Sequence, residues 1–231
     1  MRAAGCFIAM LLLIGLGRAY AEEPLPAQKE YEPPNGKGRV VVVVSGQTGP
    51  GSYADFARDI AEQGYLAVLV DGNDFWGPGG NRETLLHGVI TRAQQLPHAL
   101  PGKVAVVGFS LGGASSLGYA TRWPDLVSAV VTYYPLTRHI VDPGNFVSRI
   151  RVPTLVLAGG YDVYRNCCLI EKARELEHAA KANGGEGMFE LVEYPYAGHG
   201  FMIKTTRAWR AVDAADAFRL TLAHLRRYSG D

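Results

Sequence analysis

The feature that most constrains this chain is a series of short apolar runs, rich in β-branched residues and separated by segments with helical periodicity. The first run, residues 39–45, contains five consecutive valines. A continuous run of this kind is typical of a strand that is buried on both faces of a parallel sheet. Five further strands are predicted at 65–71, 103–109, 127–134, 154–159 and 188–194.

Helical patterns fill the gaps between these strands. Ser52 and Asp55 form a possible capping pair at the start of the first helix, and Gly64 ends it. Asn81 is placed to cap the second helix. The later helices are predicted over 82–96 and near 111–122, 167–183 and 206–227. This alternation predicts an α/β fold, a mainly parallel sheet flanked by helices on both faces.

The first residues have the pattern of a secretory signal peptide. Arg2 precedes an apolar run over 6–16, and Ala19-Tyr20-Ala21 has small residues where a signal peptidase cuts. We therefore expect cleavage after Ala21 and export to the periplasm or the extracellular space. The alternative is an uncleaved anchor, but a spanning helix needs about 20 apolar residues. Residues 22–38 are a proline-rich lead-in, and 39–231 are expected to form a single domain.

Charge and composition exclude several classes of partner. The 23 Lys and Arg residues nearly balance the 22 Asp and Glu residues, so no basic field exists to hold nucleic acid or anionic lipid. No segment after the signal peptide is long enough to insert stably into a membrane. The expected partner is a small molecule, and no feature of the sequence sets the oligomeric state.

Two adjacent cysteines, Cys167 and Cys168, remain after the predicted cleavage. Neighbouring cysteines can bond only through a strained eight-membered ring, so the sequence favours two separate thiols. A vicinal disulfide and an intermolecular bridge stay open as alternatives.

The strongest chemical motif is the pentapeptide from Gly108 to Gly112, which reads Gly-Phe-Ser-Leu-Gly. It directly follows a predicted strand and opens a predicted helix, which is the setting of a nucleophile elbow. The two glycines permit the tight turn, and Ser110 stands at its apex. The motif therefore predicts a nucleophilic serine.

Two possible partners of Ser110 follow in the chain. Asp162 comes just after the strand at 154–159, and His199 lies in the loop after the strand at 188–194. The carboxyl ends of parallel strands meet at one edge of a sheet. The order serine, aspartate, histidine is that of the α/β-hydrolase triad. Asp142 is a competitor for the acid, but no strand precedes it.

Acyl transfer assigns a role to each of these groups. Ser110 would attack, His199 would be the base, and Asp162 would hold the imidazole. The backbone N–H groups of Leu111 and Gln47 are the predicted oxyanion hole.

No zinc, haem or nucleotide-binding motif is present in the sequence, so we expect no metal and no cofactor. Four aromatic residues near strand ends are candidates to line a substrate cleft, although core packing explains them equally well. They are Trp76, Tyr133, Tyr134 and Tyr161.

Taken together, these residues resemble the dienelactone hydrolase branch of the α/β hydrolases. The resemblance covers most of 39–227. It rests on the segments 55–65, 108–113 and 194–201, together with Tyr133-Tyr134-Pro135.

The resemblance implies an α/β-hydrolase fold without a large lid, and hydrolysis of small esters or lactones through an acyl-enzyme. The family's name-giving enzymes have a cysteine where this chain has Ser110, and an acidic residue in the turn that here reads Ser45-Gly46-Gln47. These differences point away from dienelactone itself and leave esterase chemistry intact. The alternatives are an acyltransferase or peptidase with the same triad, and a non-catalytic binding protein of the same fold.

Overall fold

A computed structural model describes residues 24–78, 80–185 and 187–229, and the predicted signal peptide lies outside them. The chain forms one seven-stranded sheet in the order β1-β3-β2-β4-β5-β6-β7, in which β1 is antiparallel to β3 and all other neighbours are parallel. The strands are β1 (Gln28–Tyr31), β2 (Val40–Val44), β3 (Leu66–Val70), β4 (Val104–Phe109), β5 (Val127–Tyr133), β6 (Thr154–Gly159) and β7 (Phe189–Tyr194).

All six predicted strands are present, with their ends moved by no more than one residue. The lead-in differs from its prediction, because it contains β1. This strand pairs with β3, from Gln28 opposite Val70 to Tyr31 opposite Ala67. Pairing with β3 satisfies backbone groups at the edge of the sheet, and a four-residue segment shows no periodicity that would have revealed it.

Helices cover both faces of the sheet. They are α1 (Ala54–Glu62), α2 (Arg82–Gln94), α3 (Leu111–Gly118), α4 (Pro143–Val147), α5 (Ile170–Ala182) and α6 (Ala211–Ser229). Asn81 caps α2 as predicted, since its side chain accepts a hydrogen bond from the Thr84 N–H. No helix in the described part of the chain is both long and apolar enough to cross a membrane.

The predicted capping pair at the start of α1 is not formed. A 3₁₀ turn over Pro50–Tyr53 precedes the helix, and no side chain caps either element. Asp55 instead binds Arg58, three residues later, at 2.6 Å. Pro50 and the tight turn set the direction in which the chain enters the helix, and no capping side chain is used.

The valines of β2 show why the strand must be apolar on both faces. Val41 and Val43 pack with residues of α1 and α6. Val40, Val42 and Val44 pack on the opposite face with residues of α2. Because side chains alternate along a strand, burial of both faces requires an unbroken apolar run.

The strand order places a switch point beside β2. The chain passes from β2 to β3 on one side and then crosses to β4 on the other. Ligand sites of open α/β sheets lie at the carboxyl ends of strands at such a point. Here the turn after β2 and the start of α3 meet.

Close backbone packing fixes α3 against the end of β2. A Cβ atom at Gly112 would collide with the carbonyl oxygens of Val44 and Ser45. At the other end of the same helix, a Cβ at Gly118 would meet no atom within 4 Å. Glycine is therefore required at the first position and not at the second.

This difference predicts opposite effects of two glycine-to-alanine changes on α3. Gly112→Ala should lower the free energy of unfolding by about 2 kcal/mol or more, because backbone atoms cannot move aside easily. Gly118→Ala should leave it unchanged or raise it by up to about 1 kcal/mol, because alanine is the better helix former. Urea denaturation measures both, and equal losses in the two variants would contradict this packing.

Candidate active site

Ser110 occupies a sharp turn between β4 and α3. Its backbone has φ 51° and ψ −109°, a left-handed conformation that a residue with a side chain adopts only when its surroundings enforce it. The Ser110 N–H donates to the Tyr133 carbonyl at 3.0 Å, and the Ser110 carbonyl accepts from the Leu136 N–H at 2.9 Å. These hydrogen bonds to the end of β5 hold the strained turn in place.

A chain of hydrogen bonds connects Ser110, His199 and Asp162. The Ser110 Oγ lies 2.9 Å from the His199 Nε2, and the His199 Nδ1 lies 2.7 Å from an Asp162 carboxylate oxygen. A carboxylate can only accept, so Nδ1 carries the proton and Nε2 is free to accept the serine hydroxyl proton. The three residues follow β4, β7 and β6, as their positions in the sequence predicted.

Asp162 is buried, and each of its carboxylate oxygens accepts a hydrogen bond. Only 2% of its surface is exposed, and its second carboxylate oxygen accepts the Tyr164 N–H at 3.2 Å. Asp142, the competing acid, is not the carboxylate that His199 contacts. It is exposed and caps α4 by accepting the Asn145 N–H at 3.0 Å.

The loops that carry Asp162 and His199 are joined by backbone hydrogen bonds. The Gly160 N–H donates to the Tyr194 carbonyl at 2.8 Å, and the Tyr161 N–H donates to the Ala197 carbonyl at 2.9 Å. The acid and the imidazole are therefore held in register by main-chain contacts on either side of them.

Two tyrosines confine the His199 ring. Tyr164 stacks on it with centroids 4.6 Å apart, and Tyr134 meets it edge-on at 4.8 Å. Burial raises the pKa of Tyr134 well above its ordinary value, and the neighbouring Tyr53 raises it further. The Tyr134 phenol therefore stays neutral and adds no charge beside the imidazole.

The predicted oxyanion hole lies where β2 and α3 meet. Within the described residues, the N–H groups of Gln47 and Leu111 have no hydrogen-bond acceptor. Asn73 holds the Gln47 turn, since its side-chain amide donates to the Gln47 carbonyl at 3.3 Å. Asp71 in turn accepts the Asn73 N–H at 3.0 Å. Gly46, the residue before Gln47, lies against the turn that carries Ser110, since a Cβ atom added there would stand 3.3 Å from the Ser110 Cβ atom.

Trp76 lines a cleft of about 700 Å³ that begins one helical turn from Ser110, at Ala114. Its indole packs edge-on against His139, with centroids 4.8 Å apart. Burial lowers the pKa of His139, so this imidazole is uncharged at neutral pH. Charged side chains also line the cleft, among them Glu83, Arg122 and Arg149.

The other three aromatic candidates lie elsewhere. Tyr133 is fully buried and its hydroxyl lies 2.7 Å from the Thr221 hydroxyl, so it belongs to the core and not to a cleft. Tyr134 is also buried, beneath His199. Tyr161 is 65% exposed and packs against Tyr196. Strand-end position alone could not separate these three from Trp76.

Cys167 and Cys168 are joined in a vicinal disulfide, so the expectation of two separate thiols is wrong. The ring-strain argument considered the two cysteines alone. In the folded chain the Thr137 and Arg138 N–H groups both donate to the Cys167 carbonyl, which holds the backbone of the pair. The spacing of residues in the sequence predicts neither this bond nor the stacking of Tyr164 on His199.

Comparison with known proteins shows the family of this chain. Residues 81–229 match the model of the dienelactone hydrolase family. A candidate carboxymethylenebutenolidase of Escherichia coli K12 is 27% identical over 203 residues, which cover 76% of this chain and 72% of that protein.

Two solved structures share the fold. Est1E from Butyrivibrio proteoclasticus aligns with a TM-score of 0.64 and 15% identity, over 86% of this chain and 93% of that one. A dienelactone hydrolase-like promiscuous phosphotriesterase, P91 from metagenomic libraries, aligns with a TM-score of 0.69 and 18% identity, over 88% and 92%. Since the family match covers well over half of the residues, this chain belongs to the dienelactone hydrolase family.

Proposed function

We propose that this protein is a serine hydrolase that cleaves carboxylic esters or lactones of small substrates through an acyl-enzyme on Ser110. The observation that carries the proposal is the continuous hydrogen-bond chain from Ser110 through His199 to the buried Asp162. A serine hydroxyl becomes a useful nucleophile only when a neighbouring base accepts its proton. His199 lies at hydrogen-bond distance from the Ser110 hydroxyl, and Asp162 lies at hydrogen-bond distance from His199.

In the first half of the reaction, the Ser110 Oγ attacks the ester carbonyl carbon while His199 Nε2 takes its proton. Asp162 stabilises the imidazolium that results. Negative charge develops on the former carbonyl oxygen, and the N–H groups of Leu111 and Gln47 are free to receive it. Leu111 is also the first residue of α3, where the helix dipole favours a negative charge.

In the second half, His199 passes its proton to the departing alcohol oxygen, and the acyl group remains on Ser110. The imidazole, neutral again, then takes a proton from water, which attacks the acyl carbon. As the acyl–oxygen bond breaks and the free acid leaves, His199 returns this proton to the Ser110 Oγ and restores the hydroxyl. No step needs a metal or a redox group.

The shape of the chain around the site favours small substrates. The connection between β5 and β6 carries only the five-residue helix α4. The cleft beside Trp76, with its aromatic wall, is large enough for a substrate of drug-like size. Est1E, which shares the fold, has been solved with ferulic acid bound, and this supports an ester with an aromatic group as a first substrate.

Substitution of the three linked residues should abolish turnover without unfolding the chain. Ser110→Ala and His199→Ala are each expected to lower kcat by about 10⁴-fold or more with a short-chain nitrophenyl ester, because the triad acts as a unit. Asp162→Asn is expected to cost about 10³- to 10⁴-fold, because it stabilises the wrong imidazole tautomer. Steady-state kinetics and circular dichroism on the same samples measure both activity and folding.

Asp142→Asn is the matched control, because asparagine caps a helix as well as aspartate does. Asp142 also lines the cleft beside Trp76, so the comparison is made on kcat. Asp142→Asn should keep kcat, whereas a loss of kcat equal to that of Asp162→Asn would reject the assigned acid. Product analysis separates the reactions that use the same triad. Free acid identifies hydrolysis, and preferential transfer of the acyl group to added alcohol would identify an acyltransferase.

Different effects are expected at two aromatic positions, the half-buried Trp76 in the cleft and the exposed Tyr161. Trp76→Ala should raise KM for aryl esters by about tenfold or more, since an aromatic contact and its buried area are lost. Tyr161→Ala should change KM by less than about threefold, because this side chain packs against Tyr196 on the surface. A larger effect at Tyr161 than at Trp76 would place the substrate on the other side of His199.

We also propose that the mature protein is exported and begins at Glu22. Expression of the full chain in a secreting bacterial host should yield an extracytoplasmic product whose intact mass corresponds to residues 22–231. A product that retains residues 1–21 and stays with the membrane fraction would show an uncleaved anchor instead.

A further inference from the structure

The Cys167–Cys168 disulfide lies directly beside the proposed catalytic base. Both cysteine sulfurs and a ring nitrogen of His199 lie within 4.8 Å of one another. Both cysteines are buried, with 5% and 4% of their surfaces exposed. Thirty-one residues separate Cys168 from His199 in the sequence, and adjacency of β6 and β7 brings them together. The proposed mechanism makes no use of either sulfur.

We propose that reduction of this disulfide converts the active site into a three-ligand site for a soft or borderline divalent cation such as Zn²⁺ or Cd²⁺. The ligands are the thiolates of Cys167 and Cys168 and the Nε2 atom of His199. The metal-bound form is inactive, and the intact disulfide keeps such cations away from the base. The loss of activity rests on the proposed function, whereas the binding itself does not.

The loop that carries the cysteines has anchors that do not depend on the disulfide. The Cys167 N–H donates to the Tyr164 carbonyl at 2.9 Å, and the Cys167 carbonyl accepts from Thr137 and Arg138 at 2.9 and 3.0 Å. The Tyr164 N–H donates to Asp162, and its ring stacks on His199. These contacts should keep both sulfurs beside the imidazole after reduction.

The distances suit a tetrahedral metal ion. With metal–sulfur bonds of about 2.3 Å and metal–nitrogen bonds of about 2.0 Å, ligand atoms lie about 3.5–3.8 Å apart. After reduction the two sulfurs separate from bonding distance to about 3.8 Å, and the distance of up to 4.8 Å between a sulfur and the ring nitrogen shortens by about 1 Å. The fourth position is open to water.

The chemistry of the ligands also fits. Thiolates and imidazole favour Zn²⁺ and its softer relatives over Mg²⁺ or Ca²⁺. The Nδ1 of His199 is held by Asp162 at 2.7 Å, which leaves Nε2 as the metal ligand. A carboxylate on the other ring nitrogen is the common support of a metal-binding histidine.

Two equivalents of a thiol reductant reduce the disulfide to two cysteine thiols and are themselves oxidised to one disulfide. The cation then displaces the two thiol protons to solvent and takes the Nε2 lone pair. Because that lone pair no longer accepts the Ser110 proton, the serine stays a weak nucleophile.

The test compares the oxidised and the reduced protein, each titrated with Cd²⁺ after removal of the reductant under anaerobic conditions. Bound metal is measured after gel filtration, and cadmium–thiolate bonds are read from their ultraviolet charge-transfer absorption. The reduced protein should bind one Cd²⁺ per chain, show that absorption and lose esterase activity by more than tenfold, with recovery on addition of a chelator. The oxidised protein should bind none at this site and keep its activity.

Variants identify the ligands. Cys167→Ser, Cys168→Ser and His199→Ala should each weaken binding to the reduced protein by about tenfold or more. His178→Ala, which changes an exposed histidine on α5, is the control and should leave the affinity unchanged. The double Cys167→Ser, Cys168→Ser variant reports any metal bound elsewhere on the protein.

Three results would overturn the proposal. The first is that the oxidised protein binds Cd²⁺ as tightly as the reduced protein does. The second is that reduced His199→Ala has the same Cd²⁺ affinity as the reduced wild type. The third is that reduction alone, before metal is added, abolishes the near-ultraviolet circular dichroism of the protein. Metal content and thiolate absorption do not depend on turnover. If the chain lacks esterase activity altogether, they still decide whether the site exists.

Discussion

The active site depends on the sharp backbone turn at Ser110. A left-handed serine between β4 and α3 is unfavourable by itself, and hydrogen bonds to Tyr133 and Leu136 maintain it. The turn has room to form because α3 approaches β2 without a side chain at Gly112. The same packing brings the N–H groups of Gln47 and Leu111 to the serine. The sharp turn at Ser110 therefore positions both the nucleophile and the expected oxyanion hole.

The sheet then determines which partners reach this turn. Residues that follow β6 and β7 arrive at the same edge as those that follow β4. Backbone hydrogen bonds between the two loops hold Asp162 and His199 at fixed separation. The site is thus built on strand ends and main-chain contacts, which favours the precise geometry that proton transfer requires.

Much of this could be predicted from the sequence, because the signals were periodic or local. Unbroken valine runs indicate strands that are buried on two faces, and the glycines around Ser110 indicate a strand–turn–helix. The fold class, the six parallel strands and the positions of Ser110, Asp162 and His199 at strand ends all follow from such signals. The strand β1 could not be predicted, since it is formed by pairing with the edge of β3 and not by its own pattern.

The features that were missed depend on contacts between distant residues. Tyr133 ends β5 and Trp76 lies six residues after β3, and these positions alone do not show that one lies in the core and the other in a cleft. The bond between Cys167 and Cys168 forms in a loop whose backbone is held by Thr137 and Arg138, and adjacency in sequence suggested the opposite. Only the packed structure places that bond against His199.

The most direct test of the central claim is to locate a covalent adduct on the folded protein. A fluorophosphonate reagent, which labels only an activated serine, would be added and the modified peptide identified by mass spectrometry. One adduct per chain is expected, on Ser110, with labelling slowed strongly in His199→Ala. An unlabelled wild-type protein, or an adduct on another serine, would contradict it.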